Sequence, residues 1–205
     1  MNIKENDQIP NSEIFILENG EPIKKNISDF LKNKKVIIFG LPGAYTSVCS
    51  AKHLPGYVNM HQQFKDKGID QIICISVNDP FVMNAWGKEN NADKKVLMMS
   101  DPFLNFTKAI GAEIDKSGRG LGIRSNRYTM LIDDLKIIRL QEEKDTGSCE
   151  VSAAENFFNL VYFTIPLLIL QTLQITVGHV LQLCQDVSRS LEYNMNFQLK
   201  SNCRN

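Results

Sequence analysis

The chain has 205 residues, and its 23 Lys plus Arg balance 23 Asp plus Glu, so the formal net charge is zero. That balance argues against a basic nucleic-acid-binding domain. With 43% hydrophobic and 22% charged residues, a chain disordered throughout is excluded as well. The first eight residues contain no apolar run, so no secretory signal is expected and the expected compartment is the cytoplasm.

Strands and helices alternate along the chain. Val36 to Phe39 is a continuous apolar run bounded by Lys35 and Gly40, the pattern of a strand buried on both faces. Cys49 to Phe64 has helical spacing, with Pro55 and Gly56 expected to kink it or delay its regular part and Gly68 to end it. Ile69 to Val77 reads as a second buried strand. Asp79 then caps a helix that opens on Pro80 and runs to about Glu89. Lys95 to Met99 reads as a third strand, and Ser100-Asp101-Pro102 as the start of a short helix stopping at Gly111. Arg127 to Ile132 and Leu135 to Leu140 read as two strands about an Asp133-Asp134 turn, and a last helix starts near Val151. This order predicts an α/β domain with a mixed central sheet flanked by helices.

The chemistry concentrates in the loop from Pro42 to Cys49. A cysteine between a buried strand and the first turn of a helix meets backbone N–H groups and the positive end of the helix dipole. Both favour thiolate over thiol and make the sulfur a nucleophile. Thr46, three residues upstream, can bring a hydroxyl to the sulfur or to an oxygen bound beside it. The bland alternative is a small buried thiol. His53, one helical turn after Cys49, raises the idea of a Cys–His pair, but packing near the loop is the preferred reading. By strand alternation alone, Arg127 reads as a solvent-facing arginine at a strand edge. Trp86, Phe81, Phe103 and Phe106 read as core, and Gly118 to Gly122 as a flexible approach to a strand. The cysteines, Cys49, Cys74, Cys149, Cys184 and Cys203, form no Cys-x-x-Cys pair, so a finger-type zinc site is unsupported, and no metal or cofactor is expected.

The pattern Pro-x-x-x-Thr-x-x-Cys, here Pro42, Thr46 and Cys49, resembles the type II, peroxiredoxin-5-like, branch of the peroxiredoxins. His53-Leu54-Pro55-Gly56-Tyr57, Ser76-Val77-Asn78-Asp79, Ala85-Trp86-Gly87, Ser100-Asp101-Pro102 and Arg127-Tyr128-Thr129-Met130 follow in family order. The resemblance covers residues 1–160 and implies a thioredoxin-like fold and a thiol peroxidase acting on hydrogen peroxide and alkyl hydroperoxides. By position, Cys49 is the peroxidatic cysteine, Thr46 hydrogen-bonds thiolate and peroxide, Pro42 shields the sulfenic acid, and Arg127 stabilises thiolate and developing charge. Ser47 stands where many members have proline. The branch often forms homodimers through the face bearing this loop.

Two cysteines are candidates for resolving the sulfenic acid. Cys74 sits on a buried strand and matches a second cysteine of the branch. Cys149 lies near where some relatives carry a resolving cysteine, a few residues out of register. The favoured reading uses neither and takes glutathione or glutaredoxin as the thiol donor; the runner-up is an internal disulfide recycled by thioredoxin. A different class, a redox-inactive thioredoxin-like interaction module, would have no need to keep Pro42, Thr46, Cys49 and Arg127 together.

Residues 161–205 form an apolar and then polar tail beyond the resemblance. No Asp, Glu, Lys or Arg occurs between Glu155 and Asp186. Three readings compete: an extended helix packed on the domain or on a second copy, a membrane anchor, or read-through past the usual family end. Pro166, Gln171, Gln174 and His179 disfavour the anchor.

Overall fold

β-Branched runs build the centre of the molecule, because residues such as Val36-Ile37-Ile38 fill both faces of a pleated strand. The computed structural model describes residues 1–161. The tail over 161–205, with its three readings, lies outside the described residues apart from Val161. In chain order the elements are β1 (Glu13–Glu18), β2 (Glu21–Asn26), α1 (Ser28–Leu31), β3 (Lys35–Gly40), a π-helical turn (Cys49–His53), α2 (Leu54–Asn59), α3 (His61–Asp66) and β4 (Gln71–Ser76). They continue with α4 (Pro80–Glu89), β5 (Leu97–Ser100), α5 (Asn105–Ala109), β6 (Glu113–Asp115), β7 (Ile123–Ser125), β8 (Tyr128–Asp133) and β9 (Lys136–Glu142). Residues 154–161 are again helical.

The main sheet has the order β2-β1-β5-β4-β3-β8-β9. Strands β3, β4 and β5 run parallel at its centre, and β1 and β8 flank them antiparallel. The expected mixed α/β sheet is therefore present. Alternation sorts the side chains. Val36, Ile38, Ile73, Ile75, Tyr128, Met130 and Ile132 pack on one face with Phe106 and Ile110. On the other face, Cys74, Phe39 and Thr129 form a row across three strands by direct register. Over that row the Phe39 and Tyr57 rings stack at 4.3 Å, and Tyr57 stacks on Phe64 at 5.7 Å. This second face carries the chemistry.

Several boundaries differ from the sequence reading. The regular α-helix starts only at Leu54, next to Pro55, after the π turn over Cys49–His53, which is the expected delay, and a further break falls at Met60. Asp79 does cap α4, accepting from the Val82 N–H at 3.0 Å. The Asp101 carboxylate reaches forward to the Phe106 and Thr107 N–H groups at 3.2 and 2.7 Å, so α5 starts at Asn105, later than expected. The β1–β2 hairpin escaped the sequence reading because β2, Glu-Pro-Ile-Lys-Lys-Asn, has no buried residue. Gly118 to Gly122 does not simply lead into a strand; it joins the short β6–β7 hairpin. Phe81 and Phe103, expected in the core, stand 55% and 67% exposed, whereas Trp86 and Phe106 are buried. Among the described residues no helix is long and apolar enough to cross a membrane.

Gly40 ends β3 where the strand must pass under the Tyr128 ring, and a Cβ there would overlap that ring. Gly40→Ala is expected to lower stability by about 1–3 kcal/mol, the usual cost of overpacking a core. Urea denaturation measures it, and an unchanged midpoint would show that the ring can swing aside.

Candidate active site

Strand β3 ends at Gly40 and the chain turns through Pro42 to Tyr45, which adopts a left-handed φ of 60°. Asn78, just beyond β4, fixes this turn by accepting the Ala44 N–H at 2.9 Å. The Thr46 hydroxyl donates to the Gly43 carbonyl at 2.9 Å, so its proton is held within the loop and its lone pairs face outward as acceptors. Helix then begins, and at Cys49–His53 it widens into a π turn closed by the Leu54 N–H on the Cys49 carbonyl. Such wide turns recur at functional sites because one extra residue re-aims the side chains. Here Cys49 and His53 both point inward and are fully buried. Trp86 steadies the turn by donating from Nε1 to Ser50 Oγ at 3.1 Å.

Arg127 comes to the same point from the residue before β8. It is 1% exposed, which corrects the solvent-facing reading. Its Nη2 donates to Cys49 Sγ at 3.4 Å and to the Thr146 carbonyl at 2.9 Å, and its Nη1 lies 3.1 Å from His53 Nδ1. Nε has no partner. No carboxylate pairs with this guanidinium among the described residues. His53 Nε2 lies 3.2 Å from the Ser152 carbonyl. Nε2 therefore carries the proton and Nδ1 accepts from Arg127. Burial, and then the Arg127 charge, hold His53 well below its ordinary 6.5, at about 3. The packed-histidine reading missed this contact, because no sequence spacing links His53 to Arg127.

Pro42, Thr46 and Arg127 line a cavity of about 270 Å³ together with Val48, Leu121 and Thr146. Thus the sequence candidates Pro42, Thr46, Cys49 and Arg127 come together, with Cys49 behind the cavity wall. Lys116 and Arg119 also line it. The facing Asp145 is occupied by the Gly147 and Ser148 N–H groups at 2.6 and 3.1 Å. Arg124 donates from Nε to the Leu121 carbonyl at 2.8 Å and from Nη1 to Asn78 Oδ1 at 3.4 Å, beside the same loop. Cys74 is fully buried in the strand row, and burial raises its thiol well above the ordinary value. Cys149 is half-buried on a second cavity beside Val48 and Ala51, and its thiol too is raised, chiefly by burial.

The Redoxin family profile matches residues 4–157, most of the chain. Peroxiredoxin-2B of Arabidopsis thaliana is 42% identical over 151 residues, covering 73% of this chain and 93% of that protein. The chain belongs to the peroxiredoxins of the Redoxin family. Among solved structures, reduced Prx3 of Vibrio vulnificus in complex with hydrogen peroxide is a peroxiredoxin 40% identical to this one. It covers 78% of this chain and 99% of its own, with a TM-score of 0.74. Peroxiredoxin 5 of Alvinella pompejana gives 34% identity and a TM-score of 0.69 over 78% of this chain and 98% of its own. The expected thioredoxin-like fold is therefore present, and the peroxiredoxin works as a peroxidase through a cysteine thiol.

The depressed His53 makes a pH prediction with a definite sign. Between pH 6.5 and about 3 the unfolded chain binds a proton there that the folded chain refuses. The stability contribution is complete above pH 6.5 and is lost as pH falls through that window, by at most about 1.4 kcal/mol per pH unit. Denaturation from pH 7 to 4 is expected to show a shallower loss in His53→Phe than in the wild type. Equal slopes would mean that His53 is charged in the native state.

Proposed function

We propose that this peroxiredoxin reduces hydrogen peroxide and alkyl hydroperoxides through Cys49, and that glutathione, directly or through glutaredoxin, resets it. The observation that carries the reading is the Arg127 guanidinium, buried without a carboxylate partner among the described residues and donating to Cys49 Sγ at 3.4 Å. A buried cation needs a counter-charge, and the sulfur in contact with it supplies one as a thiolate.

The thiolate attacks one peroxide oxygen. An S–O bond forms, the O–O bond breaks, and the departing oxygen takes a proton and leaves as water or an alcohol. Cys49 is oxidised to sulfenic acid and the peroxide is reduced. Arg127 touches both sulfur and cavity, so its fixed fork of donors meets the charge as it moves onto oxygen. Thr46, with its proton on Gly43, accepts the hydrogen of the bound peroxide. Pro42 closes the wall and adds no donor that would hold water there.

Glutathione then attacks the sulfenic sulfur, releasing water and leaving a mixed disulfide. A second thiol frees Cys49 and forms glutathione disulfide. The raised thiols of Cys74 and Cys149 make both poor attacking groups. Lys116 and Arg119 in the cavity lining suit a thiol that carries carboxylates. A homodimer through the face bearing the loop belongs to the same reading, supported by Tyr45, 54% exposed on that loop.

Cys49→Ser is expected to abolish peroxide consumption, and Thr46→Val to slow it about 10²–10³-fold, the usual loss for one preorganised polar partner. Stopped-flow rates no faster than free cysteine in the wild type would favour the interaction module instead. Intact mass after one equivalent each of peroxide and glutathione should show one glutathione on Cys49. A stable Cys49–Cys149 or Cys49–Cys74 disulfide would transfer the reductant role to thioredoxin. Sedimentation should show a dimer that Tyr45→Lys dissociates; a wild-type monomer at micromolar concentration would remove the dimer from the reading.

A further inference from the structure

Directly after β9 a carboxylate is buried without a cation. Glu143 is 5% exposed, and among the described residues no Lys or Arg lies within ion-pair distance of it. Its backbone N–H extends the ladder to the Arg127 carbonyl at 2.9 Å, so it sits across from the catalytic arginine. Its side chain turns into the loop that follows. Oε1 accepts the Glu150 N–H at 2.6 Å, the Ser152 N–H at 2.9 Å and the Ser152 hydroxyl at 2.8 Å. Oε2 accepts from Ser148 Oγ at 3.4 Å. Burial would raise this carboxyl, but the donors from Ser152, Glu150 and Ser148 outweigh it and hold the group below its ordinary value.

The loop gathered in this way supplies two of the contacts that define the active site. The Thr146 carbonyl holds Arg127 Nη2. The Ser152 carbonyl holds His53 Nε2 at 3.2 Å, while Tyr57 Oη and Thr129 Oγ1 lie 3.0 Å from the same oxygen. With Nε2–H committed to Ser152, His53 must present the Nδ1 lone pair to Arg127. We propose that Glu143 is a positioning residue for Arg127. It anchors the 146–152 loop so that Thr146 holds the guanidinium directly and Ser152 holds it through His53, leaving one Nη2 donor aimed at Cys49. The proposal rests on the peroxidase reading only for the second of its two measurements.

The test compares wild type with Glu143→Gln, which keeps the size but removes the charge, so the Glu150 and Ser152 donors meet a neutral and weaker acceptor. Site-resolved mass spectrometry follows alkylation of Cys49 by iodoacetamide against pH, and stopped flow follows its oxidation by hydrogen peroxide. In folded Glu143→Gln the alkylation midpoint is expected to move to higher pH. The peroxide rate should fall about tenfold, less than the ~10²–10³ lost when a contacting group itself is removed. A purely structural carboxylate would lower Tm and leave both readings where they were, and that result overturns the proposal. If Glu143→Gln does not fold, Glu143→Asp keeps the charge and draws it back from Glu150 and Ser152. The same two shifts are then expected, and their absence is equally decisive. Should the wild type itself react slowly with peroxide, the peroxidase reading fails, while the alkylation midpoints still decide the role of Glu143.

Discussion

A guanidinium buried without a carboxylate partner among the described residues is the constraint around which residues 1–161 are arranged. Arg127 is taken out of water at a cost of several kcal/mol unless its donors find acceptors. It finds three of different kinds: the Cys49 sulfur, the His53 ring and the Thr146 carbonyl. A carboxylate in this place would satisfy the charge completely and leave nothing for the sulfur. With neutral acceptors on two sides, the unbalanced charge is directed at Cys49.

That arrangement needs rigid support, and the second sheet face provides it. Phe39, Tyr57 and Phe64 form a stacked ladder between sheet and helices, and Tyr57 links α2 to Thr129 on β8 through a 2.9 Å hydrogen bond. The π turn is thereby fixed on one side by this ladder and on the other by Trp86. Cys49 and Arg127, 78 residues apart, approach within hydrogen-bond distance because both ride on this one face.

Burial holds the thiols of Cys74 and Cys149 in their neutral form. Cys74 shares the face but is enclosed in the strand row, and Cys149 belongs to the loop that Glu143 gathers. Disulfide formation with either would require Cα atoms to come within about 7 Å in the right orientation. For Cys149 it would mean releasing the loop that holds Arg127.

The sequence by itself determined the buried central strands and the α4 cap, and it marked Cys49 as the candidate nucleophile. Each of these is written locally: in a run of β-branched residues, in Asp79 before Pro80, and in the Pro42, Thr46, Cys49 spacing that matches a family motif. It missed β2 and the β6–β7 hairpin, whose short polar strands carry no period, and it put Phe81 and Phe103 inside when both are exposed. By residue pattern alone it also set Arg127 in solvent, and only the family resemblance brought it to Cys49. Tertiary structure alone decided that Arg127 is buried, that His53 turns its Nδ1 to it, and that Glu143 serves the loop behind both. The Arg127 contacts join residues 74 and 78 positions apart, and those of Glu143 close a loop five to nine residues away. Their polar side chains look like ordinary surface chemistry until packing removes the water around them, and only then does each need a specific partner.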